Sequence, residues 1–399
     1  MSGTVLVVGG GPAGLMAAEA AARAGAAVTL AERMPSVGRK LLLAGRSGLN
    51  LTHAEPFGRV LARYGEAAPA LRDALEGFPP ERLRAWAAEL GQETFVGSSG
   101  RVFPVAWKAS PLLRAWLARL AALGVAIRTR HRWTGFGPDG ALHFDAPDGP
   151  VRIEAGAAVL ALGGASWPRL GSDGTWVPVL REAGFAVAPL RPSNVALRIA
   201  WSDPVRSRFA GEPLKRVALR FGDATSRGDA VVTEIGLEGG AVYPVSAALG
   251  EAAARGGEAR LVVDLRPDLD RDALAARLAR RRPGESTATL LRRTGFAPVA
   301  GALAREAGPL PADPPELADR LKRLPLRVIG TDDAARAISS AGGLALSGLD
   351  GPGLAGRPGV FAAGEMLDWD APTGGYLLQA CFATGHAAGE AAARFAATR

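Results

Sequence analysis

The chain has 399 residues, 48% of them hydrophobic, which excludes global disorder and leads to an expectation of two or three domains with a sizeable core. A formal charge of +8 raises nucleic acid as a partner. However, Lys40, Lys108, Lys215 and Lys322 are the lysines, every other one of the 47 basic residues is an arginine, and these are scattered through an Ala-, Gly- and Pro-rich sequence, a compositional bias rather than a binding stripe.

The amino terminus has no basic region of the kind that precedes a secretory leader, and it reads instead as a strand over 4–8 that breaks into Gly9-Gly10-Gly11-Pro12-Ala13-Gly14 before an alanine-rich helix. Gly9 permits the tight turn, Gly11 lets backbone approach a pyrophosphate, and Gly14 lets the helix pack on the strand. A second strand over 26–31 ends at Glu32, where a carboxylate can accept hydrogen bonds from ribose hydroxyls. A second match to the same glycine spacing, at 351–356, runs into Arg357-Pro358 instead of a helix and reads as a turn.

Residues 34–53 fit no periodic template and read as a functional loop. Helical patterns cover 71–90, residues 101–104 are extended, and Ser110-Pro111 is expected to cap a helix running to about 123. Strand signals at 125–130, 133–136, 141–144 and 151–154 suggest an antiparallel flap, and the apolar run 157–162 before Gly163-Gly164 belongs at the centre of a parallel sheet. Short β-like runs then fill 190–265. An Arg-rich helical stretch covers 268–308, a proline-dense connector 309–315 and a strand 324–329. The tail repeats the opening style with a strand ending at Gly364-Glu365, and Thr373-Gly374-Gly375-Tyr376 opens a helix to about 397. The expected organisation is a discontinuous cofactor domain, 1–190 and 339–399, with a β-rich insertion at 191–265 and 323–338 and a helical one at 266–322.

Two strands that each end in glycine beside an acid suit a long, two-ended cofactor, so FAD fits better than NAD. Backbone N–H groups at the start of the last helix can offset the negative charge of a reduced flavin. Cys381 has no CxxC partner, which excludes a disulfide relay and an internal disulfide and favours a packing thiol in a cytoplasmic protein. His53 reads as a solvated loop residue or an acid-base group, His386 as a core residue, and Asp368 and Asp370 as substrate ligands or turn caps. No metal-ligand spacing and no transmembrane-length apolar run occurs.

These motifs, together with Gly38-Arg39-Lys40-Leu41-Leu42-Leu43-Ala44-Gly45, Asn50-Leu51-Thr52, Gly100-Arg101-Val102-Phe103-Pro104, Leu162-Gly163-Gly164-Ala165-Ser166-Trp167-Pro168 and Gly364-Glu365-Met366-Leu367-Asp368, resemble the BaiN/YhiN-like flavoproteins, the family that includes aminoacetone oxidase. The resemblance spans nearly the whole chain. It implies an α/β fold with a glutathione-reductase-like FAD-binding Rossmann domain, carrying inserted β-barrel-like and small helical domains. By position, it implies that Gly9, Gly11, Pro12, Ala13, Gly14 and Glu32 hold the ADP half of FAD and that Trp133 offers its backbone to the adenine. Lys40, Gly45, Arg46, Asn50 and Leu51 would then run beside the flavin. Gly364, Glu365, Gly374, Gly375 and Tyr376 would hold its ribityl and pyrimidine side, and Arg33, Gly163 and Gly164 complete the contacting set. Many relatives carry a cysteine before the Asn-Leu-Thr motif; the segment Ser47-Gly48-Leu49-Asn50 lacks it, so no thiol acts there.

The implied activity is an FAD-dependent oxidoreductase moving hydride between flavin N5 and a small organic substrate at the junction of cofactor and inserted domains. No second complete dinucleotide fingerprint exists, so NAD(P)H would serve as a transient donor. The alternatives are an amine oxidase passing electrons to oxygen and, from another class, a flavin-containing RNA-binding or tRNA-modifying protein, which only the basic charge supports.

Overall fold

In the computed structural model, which describes residues 3–46, 48–256 and 259–398, the chain forms two compact units: Met1–Arg191 with Ser339–Arg399, and Pro192–Ile338. The first is a Rossmann-type α/β unit. The apolar β-branched run forms β1 (Thr4–Val8), followed by α1 (Pro12–Arg23), β2 (Ala27–Glu32), the short α2 (Arg39–Ala44), the edge strand β3 (Ala126–Thr129) and β4 (Ala157–Leu160). The parallel order is β3, β2, β1, β4 and the tail strand Val360–Ala362, with a hairpin of Leu349–Asp350 and Gly353–Leu354 at the far edge. Register pairs Val8 with both Ala31 and Leu160, and Leu160 with Ala362. The carboxyl ends of the central strands therefore end level, the place where open α/β sheets present their ligand crevice.

Helix α1 lies on this sheet and is crossed by the C-terminal helix Tyr376–Ala397. Close approach is possible because side chains are missing at the crossing: a Cβ on Gly385 would sit 2.3 Å from the Ala13 carbonyl oxygen, and one on Gly389 2.3 Å from that of Ala17. Glu19, buried on α1, accepts hydrogen bonds from the Trp86 indole (3.0 Å), the Trp116 indole (2.7 Å), Arg23 (2.9 Å) and Arg119 (3.1 Å), so its charge is paired as burial requires.

Four local expectations are corrected. The segment read as a loop contains α2, whose six residues are too few to display a helical period. The helix expected to be capped by Ser110 begins at Ala109, with Lys108 in the cap position and Pro111 tolerated within the first turn. The first of the four flap strands is β3 of the parallel sheet, leaving a three-stranded antiparallel flap of Arg132–Phe136, Leu142–Ala146 and Gly149–Ile153. The connector at 309–315 runs into the helix Pro314–Lys322, capped by Asp313, whose carboxylate accepts from the Glu316 N–H at 3.1 Å.

The second unit contains a closed antiparallel barrel of six strands among the described residues, in the order Leu197–Ile199, Gly236–Glu238, Ala224–Val232, Pro213–Phe221, Arg260–Asp264 and Leu324–Thr331. Leu219, Val232, Leu261 and Val263 fill its interior, and closure removes exposed strand edges. Helices α3 (Asp203–Phe209), α4 (Thr287–Arg293) and α5 (Pro298–Glu306) belong to the same unit, as does the helix Pro314–Lys322. Among the described residues, no helix is long and apolar enough to cross a membrane.

Candidate cofactor site

The glycine turn between β1 and α1 is built by steric necessity. Gly9 has φ +107, where any side chain is strained, and a Cβ there would lie 2.2 Å from the Ala161 carbonyl oxygen. A Cβ on Gly14 would lie 1.8 Å from the Gly9 carbonyl oxygen, so helix and turn touch through backbone. A Cβ on Gly11 would meet nothing within 4 Å, because that position faces an open cleft. Gly11 also caps α1 without a side-chain acceptor, Pro12 opens the helix, and no acid occupies its first turn. The first N–H groups of α1 therefore remain available to an anion.

Glu32 is buried and clamps this turn: one carboxylate oxygen accepts the Gly10 N–H at 2.7 Å and the other accepts the Met34 N–H at 2.7 Å. Burial pushes its pKa upward, and the two N–H groups and nearby arginines oppose the shift. On the adjacent wall, Arg33 pairs with Asp173 at 2.5 Å. Burial alone would raise the Asp173 carboxyl, but Arg33 and Thr175 outweigh it and hold it below the ordinary range.

Across the cleft, Lys40 on α2 donates to the Ser166 hydroxyl at 2.6 Å and to both oxygens of Glu365, at 2.8 and 3.0 Å. Glu365 also accepts the Ser340 N–H at 2.9 Å. This network joins α2, the loop after β4 and the loop after the tail strand. Cys381, on the C-terminal helix, also lines the cleft; burial, reinforced by Glu365, raises its thiol to about 12, so it stays protonated.

Of the residues singled out from sequence, Gly9, Gly11, Pro12, Ala13, Glu32, Arg33, Lys40, Trp133, Gly163 and Glu365 line this one cleft. Gly14 lies behind the turn. Gly364 packs on Ala13, and Gly164 against Ser340 and Glu365. Gly45 packs on Ala109, Arg46 is exposed, and Leu51 is fully buried in the core. Ser47 lies outside the described residues. Gly374 precedes Gly375, which caps the C-terminal helix at φ +95 and lies so close to Thr52 that a Cβ would sit 2.5 Å from its Cα.

Tyr376 donates its hydroxyl to Glu55 at 2.6 Å and stacks on His53 at 5.3 Å, and Arg63 grips Glu55 with two bonds of 2.9 Å. The Arg63 guanidinium holds the Glu55 carboxyl at about 2, and burial and Glu55 push the Tyr376 phenol well above its ordinary value. His53 accepts the Glu55 N–H at Nδ1, which leaves Nε2 to donate to the Ser99 carbonyl. His386 touches Arg82 at 3.1 Å and packs on Phe78, and burial lowers its pKa, as suits a neutral packed ring.

Sequence reasoning missed Ser172, Asp173, Ser166 and Ser340. The run Gly171-Ser172-Asp173-Gly174, a polar pair between two glycines shortly after a central strand, was the available signal.

Among the described residues, three polar atoms of the cleft are buried without a hydrogen-bond partner: the Trp133 indole Nε1, the Ser172 hydroxyl and the Arg39 Nε. The Asn50 side-chain oxygen is likewise unpaired. A buried unpaired polar group costs about 1–3 kcal/mol, so a cluster of them around a side-chain-free turn suits a large polar ligand. With its parallel Rossmann sheet, side-chain-free glycine turn and polar cleft, the protein is of the FAD-dependent oxidoreductase class, and the residues present fit that cofactor.

More particularly, the chain belongs to the HI0933-like protein Rossmann domain family, which it matches over residues 3–391. It is 28% identical over 409 residues to a 3-dehydro-bile acid delta(4,6)-reductase of Clostridium scindens, covering 97% of this chain and 98% of that one. Its fold is similar to that of a 3-ketosteroid delta1-dehydrogenase from Sterolibacterium denitrificans, at TM-score 0.57 and 14% identity over 100% of both chains. It is also similar to that of a 3-ketosteroid-delta4-(5alpha)-dehydrogenase from Rhodococcus jostii, at TM-score 0.52 and 18% identity over 98% of this chain and 96% of that one.

Proposed function

We propose that the cleft residues divide FAD between them as follows, and that the protein uses it to reduce or oxidise an alicyclic unsaturated ketone. The Gly9–Gly14 turn and the first N–H groups of α1 take the diphosphate. Glu32 keeps that turn in shape and offers its remaining lone pairs to the ribose, and Trp133 and Ser172 donate to the adenosine half. Lys40, fixed by Glu365 and Ser166, carries positive charge along the wall toward the ribityl chain. The Gly375–Tyr376 helix start faces the pyrimidine side. FAD, when bound, supplies hydride transfer.

The observation that carries this assignment is the set of unpaired buried donors in the cleft that Gly11 also lines, Gly11 being the one glycine of the turn where a side chain would meet open space. The ketone class rests on the bile-acid relative, whose chain matches this one end to end. NAD(P)H as transient reductant and a cytoplasmic setting complete the proposal.

The test is anaerobic. The yellow protein is mixed with NADH or NADPH, then with a panel of steroidal enones and, separately, amines, while visible flavin absorbance is followed. Bleaching by a nicotinamide and recovery on adding an enone is the expected result. Bleaching by an amine with no response to enones would transfer the assignment to amine oxidation.

A further inference from the structure

A second cavity, of about 840 Å³, lies wholly within the Pro192–Ile338 unit, between α3 on one side and α4 and α5 on the other. We propose that it binds a small amphipathic organic anion, a flat apolar body carrying a carboxylate or comparable acid.

The floor is apolar: Trp201, Val205, Leu291 and Phe296 line it and are themselves buried, so the surface they present is fixed by the core beneath. Trp201 is anchored by its indole N–H, which donates to the Thr233 carbonyl at 3.0 Å. The walls are tied together where the carboxylate of Glu306, on α5, accepts the Ser202 N–H at 2.8 Å and the Ser202 hydroxyl at 2.6 Å, just before α3.

The rim carries Arg208, Arg292 and Arg305. Their contacts are neutral: Arg208 lies over the Phe209 ring, Arg292 reaches the Thr289 hydroxyl at 3.5 Å, and Arg305 donates to the Gly301 carbonyl at 2.8 Å. Ser202 is a neutral donor and does not cancel the charge of Glu306, the acid in the lining, so three guanidiniums stand against one carboxylate and the lining is net basic. Among the described residues these three guanidiniums have no ion-pair partner, and above an apolar floor they are complementary to an anion with a hydrophobic body. The volume falls within the roughly 300–1,000 Å³ of small-molecule sites, which favours a small ligand over a peptide helix.

The test uses the FAD-loaded full chain and two fluorescent probes of matched shape, pyrenebutyrate and the uncharged pyrenebutanol. Pyrenebutyrate should bind at least ~10-fold more tightly than the alcohol, in line with charge-assisted hydrogen bonds. The Arg208→Glu/Arg305→Glu double variant should weaken the acid by ~10-fold or more while leaving the alcohol nearly unchanged. Ala288→Trp, an exposed position on α4 that lines the cavity, should block both probes without disturbing the core. The flavin spectrum and FAD content should be the same in all three proteins, which separates this site from the cofactor cleft. Equal affinity for acid and alcohol would overturn the proposal, as would variants that bind like the parent. An acidic amphipathic peptide that occupies the cavity while pyrenebutyrate does not would also overturn it.

Discussion

Glu32 acts through two backbone donors before it meets any ligand. The sequence pattern assigns its carboxylate to ribose hydroxyls; the structure adds the Gly10 and Met34 N–H groups, one on each oxygen. Glu32→Gln keeps the shape but offers only one acceptor oxygen, so one buried N–H loses its partner at a cost of about 1–3 kcal/mol. Lower thermal stability of the flavin-free protein together with weaker FAD binding is the expected outcome. Weaker binding at unchanged stability would mean that the clamp contributes nothing to the turn.

Glu55 gives a pH signature. Its carboxyl is held at about 2 in the folded chain against an ordinary 4.5, chiefly by Arg63. A depressed acid contributes stability that is fully present above pH 4.5 and is lost as pH falls toward 2. The pair is partly exposed and screened, so its worth is under about 1 kcal/mol. Glu55→Gln should unfold at a lower temperature than the parent near neutrality, and the gap should narrow on acidification through that window. A gap that stays constant would separate Glu55 from the acid response.

At the scale of elements, the crossing of α1 and the C-terminal helix governs where the first N–H groups of α1 sit. Gly389→Val places side-chain atoms where the Ala17 carbonyl already lies, so the helices must separate. Overpacking of this kind costs about 1–3 kcal/mol, and displacement of α1 should reduce FAD affinity as well. Calorimetry and flavin titration of the variant should show both losses; a fully stable variant with reduced affinity would show that the crossing positions α1 without supporting the fold.

Elements were legible where the local code was complete. The run Thr4–Val8, its glycine turn and the alanine-rich α1 could be read directly because strand period, turn chemistry and helix start coincide within twenty or so residues. The helix Arg39–Ala44 was hidden by its shortness. The helix Pro314–Lys322 was hidden because two prolines read as breakers although they occupy a first turn behind the Asp313 cap. The pairings Arg33 with Asp173 and Lys40 with Glu365 join residues far apart in sequence, and no spacing rule anticipates them.

At the scale of the whole molecule, the first unit is assembled from both chain ends, with Gly9–Gly14 and Glu32 supplied early and Gly364, Glu365 and Cys381 late. The cofactor cleft therefore exists only when the sheet closes around β4 and the tail strand pairs with it. If this cleft holds FAD, Gly11 is the position where a substitution blocks the cofactor with least disturbance to the protein. Its backbone, at φ −82 and ψ −178, is open to any residue, and a Cβ there meets no protein atom within 4 Å. Titration of FAD into flavin-free parent and Gly11→Val proteins should therefore show an affinity loss of at least ~100-fold, about 2.7 kcal/mol, with no change in the unfolding temperature of the flavin-free forms. Equal FAD affinity in the two proteins would contradict the assignment of the cleft.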